Sequence, residues 1–236
     1  MRRVVTTILA SLLSAAPLAA QFEGTIHMRL FDADGKTEMK DVKMAMKGDM
    51  QSTVITLPAS AGPMAGMEMR SIYDVKANTL TMLMPMPPGM PMMAGMGDAK
   101  GMKNVLDLSK ASYSETDSKA EIKKLGTTEK VAGIDCDDYE ITGSKGSPTR
   151  VCITESLGRF MFPQTRGGMG RGGSAPPAWA KAFGNRPVFP LKVWEPGGKV
   201  DMEVTSVEKG SVPASMFEIP AGYVDMGAMM RGRGGI

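Results

Sequence analysis

The chain has 236 residues, 42% of them hydrophobic, and carries 28 Lys+Arg against 25 Asp+Glu. So balanced a charge leaves no basic footprint for nucleic acid, and the length suits one domain of medium size with a core of its own. Two counts are unusual, 24 Met and 28 Gly, and both are concentrated in particular stretches.

Residues 1–20 begin with Arg2 and Arg3, run on as a short apolar stretch and end in Pro-Leu-Ala-Ala. That is the pattern of a secretory signal, and it is too short and too interrupted by Ser and Thr for the roughly 20 apolar residues of a membrane span. Cleavage is expected after Ala20, with Ala19 as the alternative, and position 21 is Gln rather than the Cys of a lipid-anchored protein. The leader removes two basic residues, leaving 26 against 25. The expectation is a soluble periplasmic protein with no transmembrane segment, a single β-rich domain over 21–225, and a flexible Gly/Met/Arg tail over 226–236.

From Phe22 the chain reads as strand after strand. Ile26, Met28 and Leu30 alternate with Thr25, His27 and Arg29, a period-two face. After an Asp-Ala-Asp-Gly turn, Val42, Met44 and Met46 share one side and Lys43 and Lys47 the other. Gly48-Asp49 turns the chain into a third strand over 50–57, completing an antiparallel meander. Residues 58–66 read as a loop. Met67, Met69, Ser71, Tyr73 and Val75 then alternate with Glu68, Arg70 and Asp74, and Leu80, Met82 and Met84 share a face of the next run. The Pro/Met/Gly stretch 85–101 cannot hold a ladder. Residues 102–108 suit a strand or a helical turn equally, and 111–119 are polar loop.

Residues 126–155 hold two β-rich runs about a Gly/Ser/Pro turn at 143–148, a hairpin pattern into which 122–131 leads. The only two cysteines, Cys136 and Cys152, lie one on each arm. In an oxidising compartment two cysteines without Cys-x-x-Cys spacing indicate a structural disulfide. If they face each other, Asp138 falls opposite Arg150 and Ile134 opposite Thr154. Residues 156–162 suggest one helical turn, 164–177 an Arg/Gly-rich flexible loop, and 178–183 a short helix. A last hairpin is expected over 188–194 and 200–207, followed by an ordered cap over 213–223. About ten strands result, with very little helix.

Methionine carries the functional signal. Met44/Met46, Met67/Met69 and Met82/Met84 are Met-x-Met pairs, each on one face of its strand. Three readings stay open: ordinary core, an adaptable cavity for an apolar ligand, and a metal site. The metal reading rests on the loop carrying Met86, Met90, Met92, Met93 and Met96, because thioethers favour Cu(I) over hard cations. Copper is therefore the alternative cofactor, with none as the first expectation. His27 is the sole histidine, falls on the outward face and has no evident catalytic partner. Asp135, Asp137 and Asp138 are split between faces by strand alternation and read as a solvated acidic edge rather than a Ca²⁺ site. Trp179 and Trp194 read as core or rim anchors. No nucleophile elbow, phosphate loop, metalloprotease or dinucleotide fingerprint is present, so no enzyme is expected.

Lys130-Val-Ala-Gly-Ile-Asp-Cys-Asp-Asp-Tyr139, the second cysteine at Cys152, and Ser215-Met-Phe-Glu-Ile-Pro-Ala-Gly-Tyr223 resemble a bacterial family of exported domains of unknown function, the 4412 family. That family looks related to the periplasmic lipoprotein carriers of the LolA/LolB type. The resemblance implies a mainly β fold, a curved antiparallel sheet forming a half-open barrel with a few short helices. Together with the methionine faces read above, it leads to the expectation of non-catalytic binding of a lipid or acyl chain in the concave face, lined by Met44, Met46, Met67, Met69, Met82 and Met84. Cu(I) binding by the methionine loop and an envelope scaffold that binds another protein through a sheet edge are the alternatives.

Overall fold

A computed structural model describes residues 22–31, 37–86, 98–109, 120–143, 147–161, 178–183 and 186–227. Residues 1–21, the Asp-Ala-Asp-Gly turn, residues 87–97, the polar loop over 111–119, the Arg/Gly-rich stretch and the chain beyond 227 lie outside these, so the expectations placed on them do too.

The protein is mainly β. The meander is formed by β1 (Gly24–Phe31), β2 (Thr37–Lys47), β3 (Met50–Thr56), β4 (Glu68–Asp74), β5 (Thr79–Pro85) and β6 (Gly101–Asp107). The second group is β7 (Glu121–Val131), β8 (Ile134–Thr142), β9 (Thr149–Thr154), β10 (Phe189–Trp194) and β11 (Val200–Lys209), with a short helix α1 (Ala178–Phe183) between β9 and β10. A three-residue β12 (Tyr223–Asp225) ends the series. All join one 12-stranded sheet in the order β12-β6-β5-β4-β3-β2-β1-β11-β10-β9-β8-β7. The sheet is not closed: its edges are β12 and β7.

Each half is a run of sequence-consecutive antiparallel neighbours, joined by two-residue turns at β2–β3 and β7–β8 and by longer segments elsewhere. Gly48, with φ 56°, makes the tight β2–β3 corner. The β7–β8 corner is the two-residue Ala132-Gly133 turn, both residues at positive φ (50° and 80°), with Val131 paired to Ile134. This is the primed turn that matches strand twist, and it explains the Val-Ala-Gly-Ile segment of the family resemblance. The seam between the halves is non-local: β1 pairs with β11, Gly24 against Lys209 and Leu30 against Met202. Pro190 sits in the interior strand β10 beside a register shift, where a residue lacking an N–H is tolerated.

One face of the sheet carries the main core, where Ile26, Met28, Val42, Met44 and Met46 meet Val151, Leu191, Val193, Met202 and Val204, all buried. Trp179 and Phe183 of α1 close this face over β8 and β9. Phe183 meets Tyr139 edge-on at 5.6 Å, and Phe160 meets Phe189 edge-on at 5.0 Å. Residues 210–222 cross the opposite face as a strap. Val212 donates its N–H to Glu23 Oε1 (3.0 Å), Lys47 Nζ donates to the Val212 carbonyl (3.4 Å), and Arg70 donates to the Ser215 carbonyl (3.2 Å). Beneath it Ala45, Ser52, Ile72 and Leu83 are buried. The strap ends as β12, which pairs parallel to β6 with Tyr223 against Gly101. A Cβ at Gly101 would lie 2.5 Å from the Tyr223 ring, so only glycine fits there.

Several expectations are corrected. The sheet has twelve strands, and the β6–β12 pairing is parallel. Residues 102–107 belong to a strand, which decides between the two readings left open for 102–108. Residues 122–131 form a full strand at the sheet edge. The 58–66 loop contains a 3-10 turn over Ala59–Met64, and residues 156–162 form no helix among the described residues. The disulfide is formed, with Cα atoms 5.4 Å apart, but the cysteines are not directly opposite. Asp138 stands across from Cys152 and Glu140 across from Arg150, a slip of two residues that keeps every side chain on its expected face.

Candidate functional site

The methionines are brought together by register. In an antiparallel ladder, directly opposed residues project from the same face. Met44 is opposite Thr53, Thr53 opposite Ser71, Ser71 opposite Met82, and Met82 opposite Asn104. One step along, Val42 opposes Ile55, Ile55 opposes Met69, and Met84 opposes Met102. Met44, Met46, Met67, Met69, Met82 and Met84 therefore all belong to the core face, as strand alternation requires.

They divide by burial. Met44 is 1% exposed and Met46 8%, both packed in the main core with Met28 and Met202. Met67, Met69, Met82 and Met84 are half-buried. Met82 packs beside a second, smaller cluster of Tyr73, Leu80 and Leu108, which Met161 also joins. The stretch around Met161 is pinned across this face by Gln51: its amide donates to the Met161 carbonyl (3.0 Å), and Met161 N–H donates back to Gln51 Oε1 (3.2 Å). Both polar ends of the Gln51 amide are satisfied, which is how a side chain only 5% exposed sits there without penalty. Burial raises the Tyr73 hydroxyl above the ordinary tyrosine range.

A cleft of about 470 Å³ opens at the other end of the core face, between β8–β9 and residues 186–188. Tyr139, Ile153, Phe183 and Val188 form its apolar wall, and Asp135, Asp137 and Glu155 its acidic rim. Lys124 Nζ donates to Asp137 at 2.6 Å, and that hydrogen bond raises the lysine above its usual range. None of the predicted methionines lines this cleft. The acids at 135 and 137 were visible in the sequence, but the wall facing them comes from α1 and the segment before β10, which no local pattern ties to β8.

The strap side of β7–β11 is held by charge. Asp138 is fully buried and accepts hydrogen bonds from Arg150 (2.7 Å) and the Thr127 hydroxyl (2.6 Å). This corrects the reading of Asp138 as part of a solvated acidic edge; the side chains of Asp135 and Asp137 do reach solvent. Arg150 also pairs with Glu129 and lies 4.4 Å from the Trp194 ring centroid. The hydrogen bond to Asp138 leads the causes that hold the guanidinium above its ordinary range. Lys192 and Arg29 flank Glu203 at 3.0 and 2.8 Å. Burial pushes Glu203 upward, but the two cations outweigh it and leave the carboxyl below the usual range. Two residues along β11, Asp201 is raised by burial and then by Glu195. His27 has a partner after all, Asp41 Oδ1 at 2.9 Å.

Of the loop methionines, Met86 is half-buried at the end of β5; Met90, Met92, Met93 and Met96 lie outside the described residues. No group of three or more His, Cys, Asp or Glu converges among the described residues, and none of their helices is long and apolar enough to cross a membrane.

No curated protein matches the chain. Solved structures similar to it include PNGF-II in the C2 space group, at 15% identity and a TM-score of 0.48, covering 90% of this chain and 32% of that one. PNGF-II in the P21 space group is similar at 16% identity and a TM-score of 0.44, covering 90% and 33%. The chain thus spans about a third of the length of those proteins. Residues 22–223, which include the cysteine hairpin, the methionine-bearing strands and the strap, match the family described as "Domain of unknown function (DUF4412)", and the chain belongs to that family.

Proposed function

We propose that this is an exported periplasmic domain that binds an apolar ligand, a lipid or acyl chain, without catalysis. The ligand lies on the methionine-bearing core face of the meander. One observation carries the reading: Met67, Met69, Met82 and Met84 share the face of the buried core yet remain half-buried. A guest laid on them gains about 25 cal/mol for each Å² of apolar surface removed from water. Unbranched thioethers adapt to its shape at little cost. An open sheet whose core face is plugged by α1 at one end and, among the described residues, carries no helix along the meander suits the half-open barrel of the LolA/LolB-like carriers. The test is a titration of delipidated protein with a fluorescent fatty acid. Saturable uptake that falls when Met82 and Met84 are both changed to Glu supports the reading. Absence of uptake removes it.

A further inference from the structure

The pairing of β4, β5 and β6 gathers more methionine than the Met-x-Met pairs alone reveal. Met84 stands opposite Met102, and the Arg70–Leu83 pair sets Met69 against Met84. The ladder continues one step past the strand ends. Met86 N–H donates to the Lys100 carbonyl (3.0 Å), and the Met67 carbonyl accepts from Leu57 N–H (2.9 Å). Alternation then places Met67 and Met86 on the same face as Met69 and Met84. Two adjacent cross-strand rows result, Met69–Met84–Met102 and Met67–Met86, the latter continued in register by Lys100. Neighbours within a row have Cβ atoms about 5 Å apart.

We propose that these five methionines form a site for a soft monovalent cation, Cu(I) or Ag(I). Neutral, polarisable thioethers select such ions over Ca²⁺, Mg²⁺ or Zn²⁺, which require oxygen, imidazole or thiolate donors. All five side chains are half-buried. They are dry enough to limit competition from water and open enough for an ion to enter. Each sulfur sits on a flexible side chain that can swing toward a shared centre. Met28, Met44, Met46 and Met202 share the face but are sealed in the main core, and turning them to a metal would open it. Lys100, in register beside the rows, disfavours a divalent ion more than a monovalent one. The site stands independently of the apolar-ligand reading, since it rests on register and donor chemistry. It also needs none of Met90, Met92, Met93 or Met96.

The test uses the full chain with Ag(I) as a redox-inert probe. Cu(I) follows anaerobically against a chromophoric chelator, and ¹³C-labelled methionine methyls are read by NMR. The expected result is saturable binding of one ion per chain, with methyl shifts at residues 67, 69, 84, 86 and 102. Met84→Leu should weaken binding by about tenfold and Met202→Leu should leave it unchanged; both swaps roughly conserve volume. A variant with Met90, Met92, Met93 and Met96 all changed to Leu should bind as well as the original. The proposal is overturned by absence of saturable binding, by shifts centred on other methionines, or by loss of binding in the loop variant. The methyl spectrum of the unaltered chain decides the matter even if a substituted chain fails to fold.

Discussion

Over β7–β11 the core face is built from Val151, Leu191, Val193 and Phe189 and is filled by the chain's own Trp179 and Phe183. Over β3–β6 the same face carries Gln51, Thr53, Met69, Met82 and Met84, and the stretch at Met161 crosses it held by a glutamine amide. The first region is fastened by a disulfide and a buried ion pair; the second by its ladder and by a strap on its far side. The difference shows where rigidity and adaptability are placed. Branched and aromatic residues fix one packing arrangement, whereas methionine fits several.

The comparison can be broken at its stiff end first. Phe189→Ala empties a fully buried ring position and should destabilise the protein by about 4 kcal/mol in chemical denaturation. A loss below about 1 kcal/mol would mean this region is no more tightly packed than the meander. Arg150→Ala strands the buried carboxylate of Asp138 and should cost about 3 kcal/mol; restoring neutrality with Asp138→Asn in the same chain should recover part of it. Replacing Cys136 and Cys152 by Ser releases a loop with a sequence separation of 16 and should cost about 3 kcal/mol in the chain-entropy account, read from the urea midpoint. Met84→Leu, at the adaptable end, should change stability by less than about 1 kcal/mol. A larger loss would place it in a specifically packed core.

The smallest effects come from β11, where two carboxyls are tuned in opposite directions. Glu203 is held below its usual range by Lys192 and Arg29, so its stabilisation is full above the usual carboxylate range and fades as pH falls through the lowered value. Asp201 is raised by burial and Glu195, so ionising it opposes folding as pH climbs past the ordinary aspartate range. Asp201→Asn should therefore raise Tm at neutral pH by about 1 °C, the carboxyl being only partly buried and screened, and by nothing in strong acid. Glu203→Gln should lower it at neutral pH. Thermal melts across pH 3–7 read both signs.

Much of this was legible in the sequence. The alternation around Ile26, Met44 and Leu80 gave the meander strands and their faces. The Gly/Pro/Ser turns gave the two late hairpins, and the cysteines gave their bridge. Register was not legible, because a slip of two residues keeps Cys136, Asp138, Arg150 and Cys152 all on the same face. Nor was the depth of Asp138: burial is decided by Arg150, Glu129 and Thr127 arriving from neighbouring strands. The methionine rows became visible only when β6, too short and mixed in pattern to read, proved to lie beside β5.

The seam between β1 and β11 governs how such a chain can be made. Gly24, among the first described residues, finds its partner only when Lys209 is available, and closing so long a loop is slow. Until then each half presents raw backbone amides along what will become the middle of the sheet. A product cut short before position 200 would keep that exposed border permanently, making it a substrate for proteases and a seed for clumping. Completing the sheet during synthesis therefore hinges on the arrival of β11.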